Sequence, residues 1–198
     1  MTATRKKEIT KADVLPAAQY AAQRKEKRQA VVAMKKKRRV EVGPVATFYF
    51  ENFDTMLQQV QEMLHIEKGG DEQLVDELRA YNPLIPQGRE LVATVMFEID
   101  DPVRRANFLA RLGGVEHTAF IKVGSQTVKG EPEEDQDRTN ADGKASSVQF
   151  IHFPFTDAAA AAFKQTGAQV ILGFEHAAYG HMAVMGEETR AALAGDLD

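Results

Sequence analysis

Three histidines fall where strands begin or end, His117, His152 and His176, and His181 follows close enough to join them. His117 precedes the alternating run Ala119, Ile121, Val123. His152 follows Val148 and Phe150, and His176 follows Val170, Leu172 and Phe174. If the first strand runs antiparallel to the other two, the imidazoles collect at one end of a sheet, with His181 five residues beyond His176. Three neutral imidazoles and a water make a zinc or iron site, and an added carboxylate such as Glu175 suits iron. The competing reading is of separate half-buried histidines, each with its own carbonyl or carboxylate partner. A second pattern is Glu62-Met63-Leu64-His65, half of the paired Glu-x-x-His set that builds a di-iron centre. On a helical wheel both residues point away from the apolar face of Phe53, Met56, Leu57, Val60 and Leu64, so the pattern predicts a solvated helix face.

Other chemistry finds little support. There is no cysteine, which removes disulfides, thiolate nucleophiles and iron–sulfur ligation by the chain itself. Gly69-Gly70 and Gly113-Gly114 read as helix ends rather than phosphate loops, and no Gly-x-Ser-x-Gly elbow is present. Asp135-Gln136-Asp137 starts like a calcium loop, but position six is Asn140 and position twelve is Ser146, where Gly and Glu are needed.

The elements that must position these groups follow from periodicity. Pro16 to Lys37 predicts a long helix rich in Ala, Gln, Lys and Arg. Thirteen of the 25 Lys and Arg residues lie in the first forty positions, against three acids. The net charge of −4 therefore sums about +10 there and −14 in the rest. Arg24, Arg28, Lys35 and Arg39 would form one stripe, continued by Lys36, Lys37 and Arg38. Strands are predicted over Arg39–Val42, Val45–Glu51, Glu90–Ile99, Glu116–Val123, Val148–Phe155 and Ala168–His176. Helices follow Asn52 or Asp54, Asp71, Asp101-Pro102, Thr156 and Gly186. Residues 1–9 read as a disordered tail and 130–146 as an acidic mobile loop. The uneven spacing gives an α+β class: one domain over 10–198, a mainly antiparallel or mixed twisted sheet covered by helices, and a basic helical segment over 10–39.

The charge split points to a partner. Few aromatics interleave with the basic residues, and the rest of the chain is acidic, which disfavours nucleic acid. The helix lacks the bulky apolar face that a membrane surface needs. An acidic protein surface, or a second copy of the chain in a homodimer, fits better, with Arg24, Arg28, Lys35, Lys36, Lys37, Arg38 and Arg39 at the interface. The expected protein is a cytoplasmic, non-enzymatic binding or accessory protein. The alternatives are a histidine-ligated metal protein and a nucleic-acid-binding protein.

Several blocks resemble a known family: Lys36-Lys37-Arg38-Arg39-Val40-Glu41-Val42-Gly43-Pro44, Phe50-Glu51-Asn52-Phe53-Asp54-Thr55, Gln61-Glu62-Met63-Leu64, Tyr81-Asn82-Pro83-Leu84-Ile85-Pro86 and Glu187-Glu188-Thr189-Arg190. They resemble the bacterial family catalogued as domain of unknown function 3501, over nearly the whole chain. The resemblance implies a single-domain bacterial cytoplasmic protein, with members near rubrerythrin-type and iron–sulfur proteins and hence a role around oxidative or iron metabolism. It supplies no catalytic residue. His65 stands where the family pattern expects Arg.

Overall fold

The computed structural model describes residues 5–133 and 138–198. The chain gathers into two compact units, one formed by residues 1–37 and 51–87 and the other by 38–50 and 88–198. Most of their elements are the predicted ones, with strands over Gln126–Lys129, Glu131–Pro132 and Met182–Val184 added, and the class is α+β.

The first unit is helical. Helix α1 (Ala17–Lys36) starts at Pro16, whose fixed φ suits a helix entry. Helix α2 (Phe53–Glu67) is capped by Asn52, whose side chain accepts from Thr55 N at 3.0 Å. It ends not at the glycine pair but at Lys68, held in the left-handed region at φ 56°. Gly70 then opens α3 (Gly70–Tyr81). Met56 and Val60, one turn apart on α2, are buried, and so is Leu74 on α3. The segment read as a tail is tied down at its end. Ile9 is buried, its N–H donates to the Asn82 side chain at 2.8 Å, and Asn82 returns a bond to its carbonyl at 3.0 Å.

The second unit carries two antiparallel sheets rather than one. The first has the order β1 (Arg39–Val42), β2 (Ala46–Phe50), β3 (Glu90–Phe97), β7 (Val148–Pro154) and β6 (Glu131–Pro132). The second has the order β5 (Gln126–Lys129), β4 (Ala119–Val123), β8 (Val170–Phe174) and β9 (Met182–Val184). Helices α4 (Pro102–Leu109), α5 (Asp157–Lys164) and α6 (Glu187–Ala194) complete it. The core lies here: Phe48, Leu91, Val95, Ile121, Ile151, Phe153, Leu172 and Phe174 come from both sheets, each at most 1% exposed.

The acidic segment is more ordered than its composition predicts. Among its described residues, Glu131 and Pro132 pair with β7, Thr139 bridges Ala145, and Ala145 is buried with its N–H on the Leu109 carbonyl. Backbone pairing with a neighbouring strand holds it where apolar content could not. The calcium-like start at Asp135 and Asp137 lies outside the described residues.

Candidate functional site

The histidines do not form one site. The conditional geometry holds for two strands, since β4 runs antiparallel to β8, but β7 belongs to the other sheet, so His152 is separated from the rest by topology. His117 sits in a short 3-10 turn before β4 and is exposed. His176 lies past the end of β8, its Nε2 at 3.2 Å from the Gly113 carbonyl. His181 is exposed and packs edge-on against Tyr179, ring centroids 4.5 Å apart. Among the described residues no group of three or more His, Asp or Glu side chains is arranged to hold a metal ion.

His152 has found protein partners. It faces away from the core, because its strand neighbours Ile151 and Phe153 point inward and are fully buried. Nδ1 lies 2.9 Å from Glu90 Oε2 on β3, and Nε2 lies 2.8 Å from Glu133 Oε2, just past β6. An ionised carboxylate only accepts, so the two contacts favour the protonated ring, in which both nitrogens donate. Burial opposes that charge, and the two carboxylates outweigh it, so the His152 pKa is raised. Beside it the Arg138 guanidinium lies 4.5 Å over the Phe150 ring. The group Glu90–His152–Glu133 ties β3 and β7 to the residue that follows β6, and each His152 ring nitrogen has a carboxylate partner. Sequence reading marked His152 but missed both glutamates, because pairing of β3 with β7 is a long-range fact. The available signal was only that Glu90 starts the clearest strand on its outward face.

The basic helix meets an acid of its own chain. Arg24 donates to Glu62 through Nε at 2.9 Å and Nη2 at 2.8 Å, and Arg28 Nε lies 4.0 Å away. Tyr20, 1% exposed, donates its hydroxyl to the same carboxylate. The Arg24 hydrogen bonds hold Glu62 down to about 2, and burial beside this anion pushes Tyr20 up to about 12. The face of α2 read as solvated is therefore covered by α1. The wheel gave the right direction for Glu62; what it lacked was the helix that packs there. His65 sits edge-on to Tyr20 at 5.8 Å.

The predicted interface residues divide. Arg38 is buried: its Nε donates to the Phe50 carbonyl at 3.0 Å and its Nη2 pairs with Asp196. The helix stops at Lys36, so Arg39 lies on β1 rather than on the stripe, and Lys35 is half-buried. Exposed on α1 at i, i+3, i+7 and i+11 are Lys25, Arg28, Val32 and Lys36, with Glu26, Gln29 and Ala33 exposed beside them. Along this face runs a groove of about 720 Å³ lined by the first four with Arg24 and His65, and no carboxylate lines it. Val32 is 57% exposed at its centre.

A two-sheet antiparallel unit joined to a three-helix unit with a cationic outer helix defines the class of protein. The chain belongs to the family described as Protein of unknown function (DUF3501), whose model matches residues 8–197. It is similar to a protein from Burkholderia pseudomallei K96243, a crystal structure described as a novel protein of unknown function. Identity is 37%, the match covers 96% of this chain and 99% of that one, and the TM-score is 0.89. A search of curated proteins found no match. No helix among the described residues is long and apolar enough to cross a membrane.

Proposed function

We propose that the protein is a binding or accessory protein that engages an acidic protein surface through the outer face of α1. The observation that carries the reading is the groove: four cations, Arg24, Lys25, Arg28 and Lys36, with no lining acid and an exposed valine at the centre. Interfaces between proteins place apolar contacts inside a polar rim, whereas non-specific nucleic-acid surfaces interleave cations with aromatic rings for stacking. A valine among lysines fits the first. Arg24 is anchored by Glu62, so it serves as the fixed wall, and Lys25, Arg28 and Lys36 as the contacts.

The experiment is fluorescence anisotropy of the full chain with a labelled Glu- and Leu-containing helical peptide and, separately, a labelled DNA duplex, at about 0.15 M salt. The reading expects the peptide to bind and the double variant Lys25→Glu/Lys36→Glu to weaken it by about tenfold, equal to 1.4 kcal/mol. Tighter binding of the duplex, lost in the same variant, would overturn it in favour of nucleic acid.

A further inference from the structure

We infer that the helical unit holds a second site, a pocket for a small amphipathic anion of the fatty-carboxylate class. Between the loop before α1, the start of α1, and the faces of α2 and α3 lies a pocket of about 610 Å³. That volume is within the usual range for small-molecule sites. Val14, Leu15, Leu64 and Leu74 give it apolar walls, and the buried Tyr20 lines it as well.

The walls are fixed before any ligand arrives. Gln61, 5% exposed, accepts from Leu15 N at 2.7 Å and donates to the Leu15 carbonyl at 3.4 Å, which clamps the loop against α2. An apolar recess held open by hydrogen bonds loses little ordering entropy on binding.

The charge around it selects the sign of the ligand. Lys11, Lys68 and His65 line the pocket, and Asp71 is its one acid. Asp71 is already paired with Lys11 at 2.7 Å. Lys68 is left as the cation that meets a head group, held at the end of α2 in a left-handed conformation. An apolar body with one carboxylate satisfies both walls and rim; a cation or a neutral alcohol satisfies the walls alone. The pocket adjoins the α1 groove at Ala21 and His65, but neither Lys25 nor Lys36 lines it.

The test is titration of the isotope-labelled full chain with decanoate, decanol and decyltrimethylammonium, read by amide NMR. The inference expects saturable decanoate shifts at Leu64, His65, Lys68 and Leu74, with decanol and the cation binding more weakly, decanol by about two- to fivefold, the worth of one exposed charge contact. Ala17 lines the pocket and is exposed, so Ala17→Trp fills the recess without touching the core and should abolish the shifts while the thermal midpoint stays. Lys68→Gln should weaken decanoate alone. Equal binding of decanoate and decanol, decanoate shifts that survive Ala17→Trp, or no saturable shift would each overturn it. Lys25→Glu/Lys36→Glu should leave decanoate binding unchanged, so failure here is separable from failure of the α1 reading.

Discussion

Arg24 and Glu62 form a two-pronged ion pair that fastens α1 to α2, at 2.9 Å and 2.8 Å. Around it gather the Tyr20 hydroxyl, the Arg28 guanidinium and the Gln58 amide, which donates to Tyr20. Tyr20 is the buried residue of a twenty-residue helix. This polar cluster does for α1 what an apolar stripe does for most helices.

That pair sets a pH dependence. Glu62 is lowered from 4.5 to about 2, so its stabilisation is fully present above 4.5 and lost as pH falls through about 2. Glu62→Gln should cost about 1–2 kcal/mol at neutral pH, discounted because Arg24 and Arg28 are partly solvated. Urea melts at pH 7 and pH 2 should show the difference between wild type and variant shrinking at the lower pH. An equal difference at both would contradict the assignment.

His152 gives the opposite slope. Its folded value lies above the ordinary 6.5, so the stabilisation is complete below 6.5 and is lost as pH rises through the folded value. His152→Gln should destabilise by about 1–3 kcal/mol at pH 6, since it leaves two half-buried carboxylates without their shared donor. Proton NMR of the ring should show titration above 6.5 and a downward shift in Glu133→Gln. A value at or below 6.5 would refute the doubly bonded ring.

Arg38 and Lys36 are two residues apart and should behave differently. Arg38→Met strands the Asp196 carboxylate and the Phe50 carbonyl inside the second unit, at a cost of about 3 kcal/mol. Lys36→Met is on the exposed face and should change stability by no more than about 0.5 kcal/mol. Chemical denaturation of the two variants checks both figures.

Tyr179 holds the β1–β2 turn. Its hydroxyl donates to the Val42 carbonyl at 2.7 Å and accepts from Ala46 N at 3.1 Å. Tyr179→Phe should therefore cost about 1–3 kcal/mol. Gly43 sits at φ 68°, and a Cβ there would come within 2.7 Å of the Tyr179 hydroxyl and the His181 ring. Gly43→Ala should cost about 2 kcal/mol from backbone strain together with the clash. Thermal unfolding measures both.

How far the sequence could be read follows from range. Helix α6 runs from Glu187 to Ala194 as its spacing predicts, Asn52 caps α2, and Leu91, Ala93, Val95 and Phe97 line the buried face of β3, because each signal is local. The edge strands β5 and β9 escaped notice: Thr127 and Lys129 are exposed, as are Met182 and Val184, so little apolar alternation marks them. Partner choice was illegible too. His117 and His152 look alike in sequence, yet β4 pairs with β8 and β7 with β3, placing them on different sheets. The basic run likewise hid a boundary, since Arg38 turns inward where Lys36 stays out.

The exposed face of α1 is tested most directly by a photo-cross-linking amino acid placed at Val32, in cells to which the protein is native, with the product read by mass spectrometry. An acidic protein surface at that face predicts a cross-linked peptide rich in Asp and Glu that disappears in Lys25→Glu/Lys36→Glu. A cross-link to nucleic acid, to a neutral or basic peptide, or one that persists after charge reversal would contradict it.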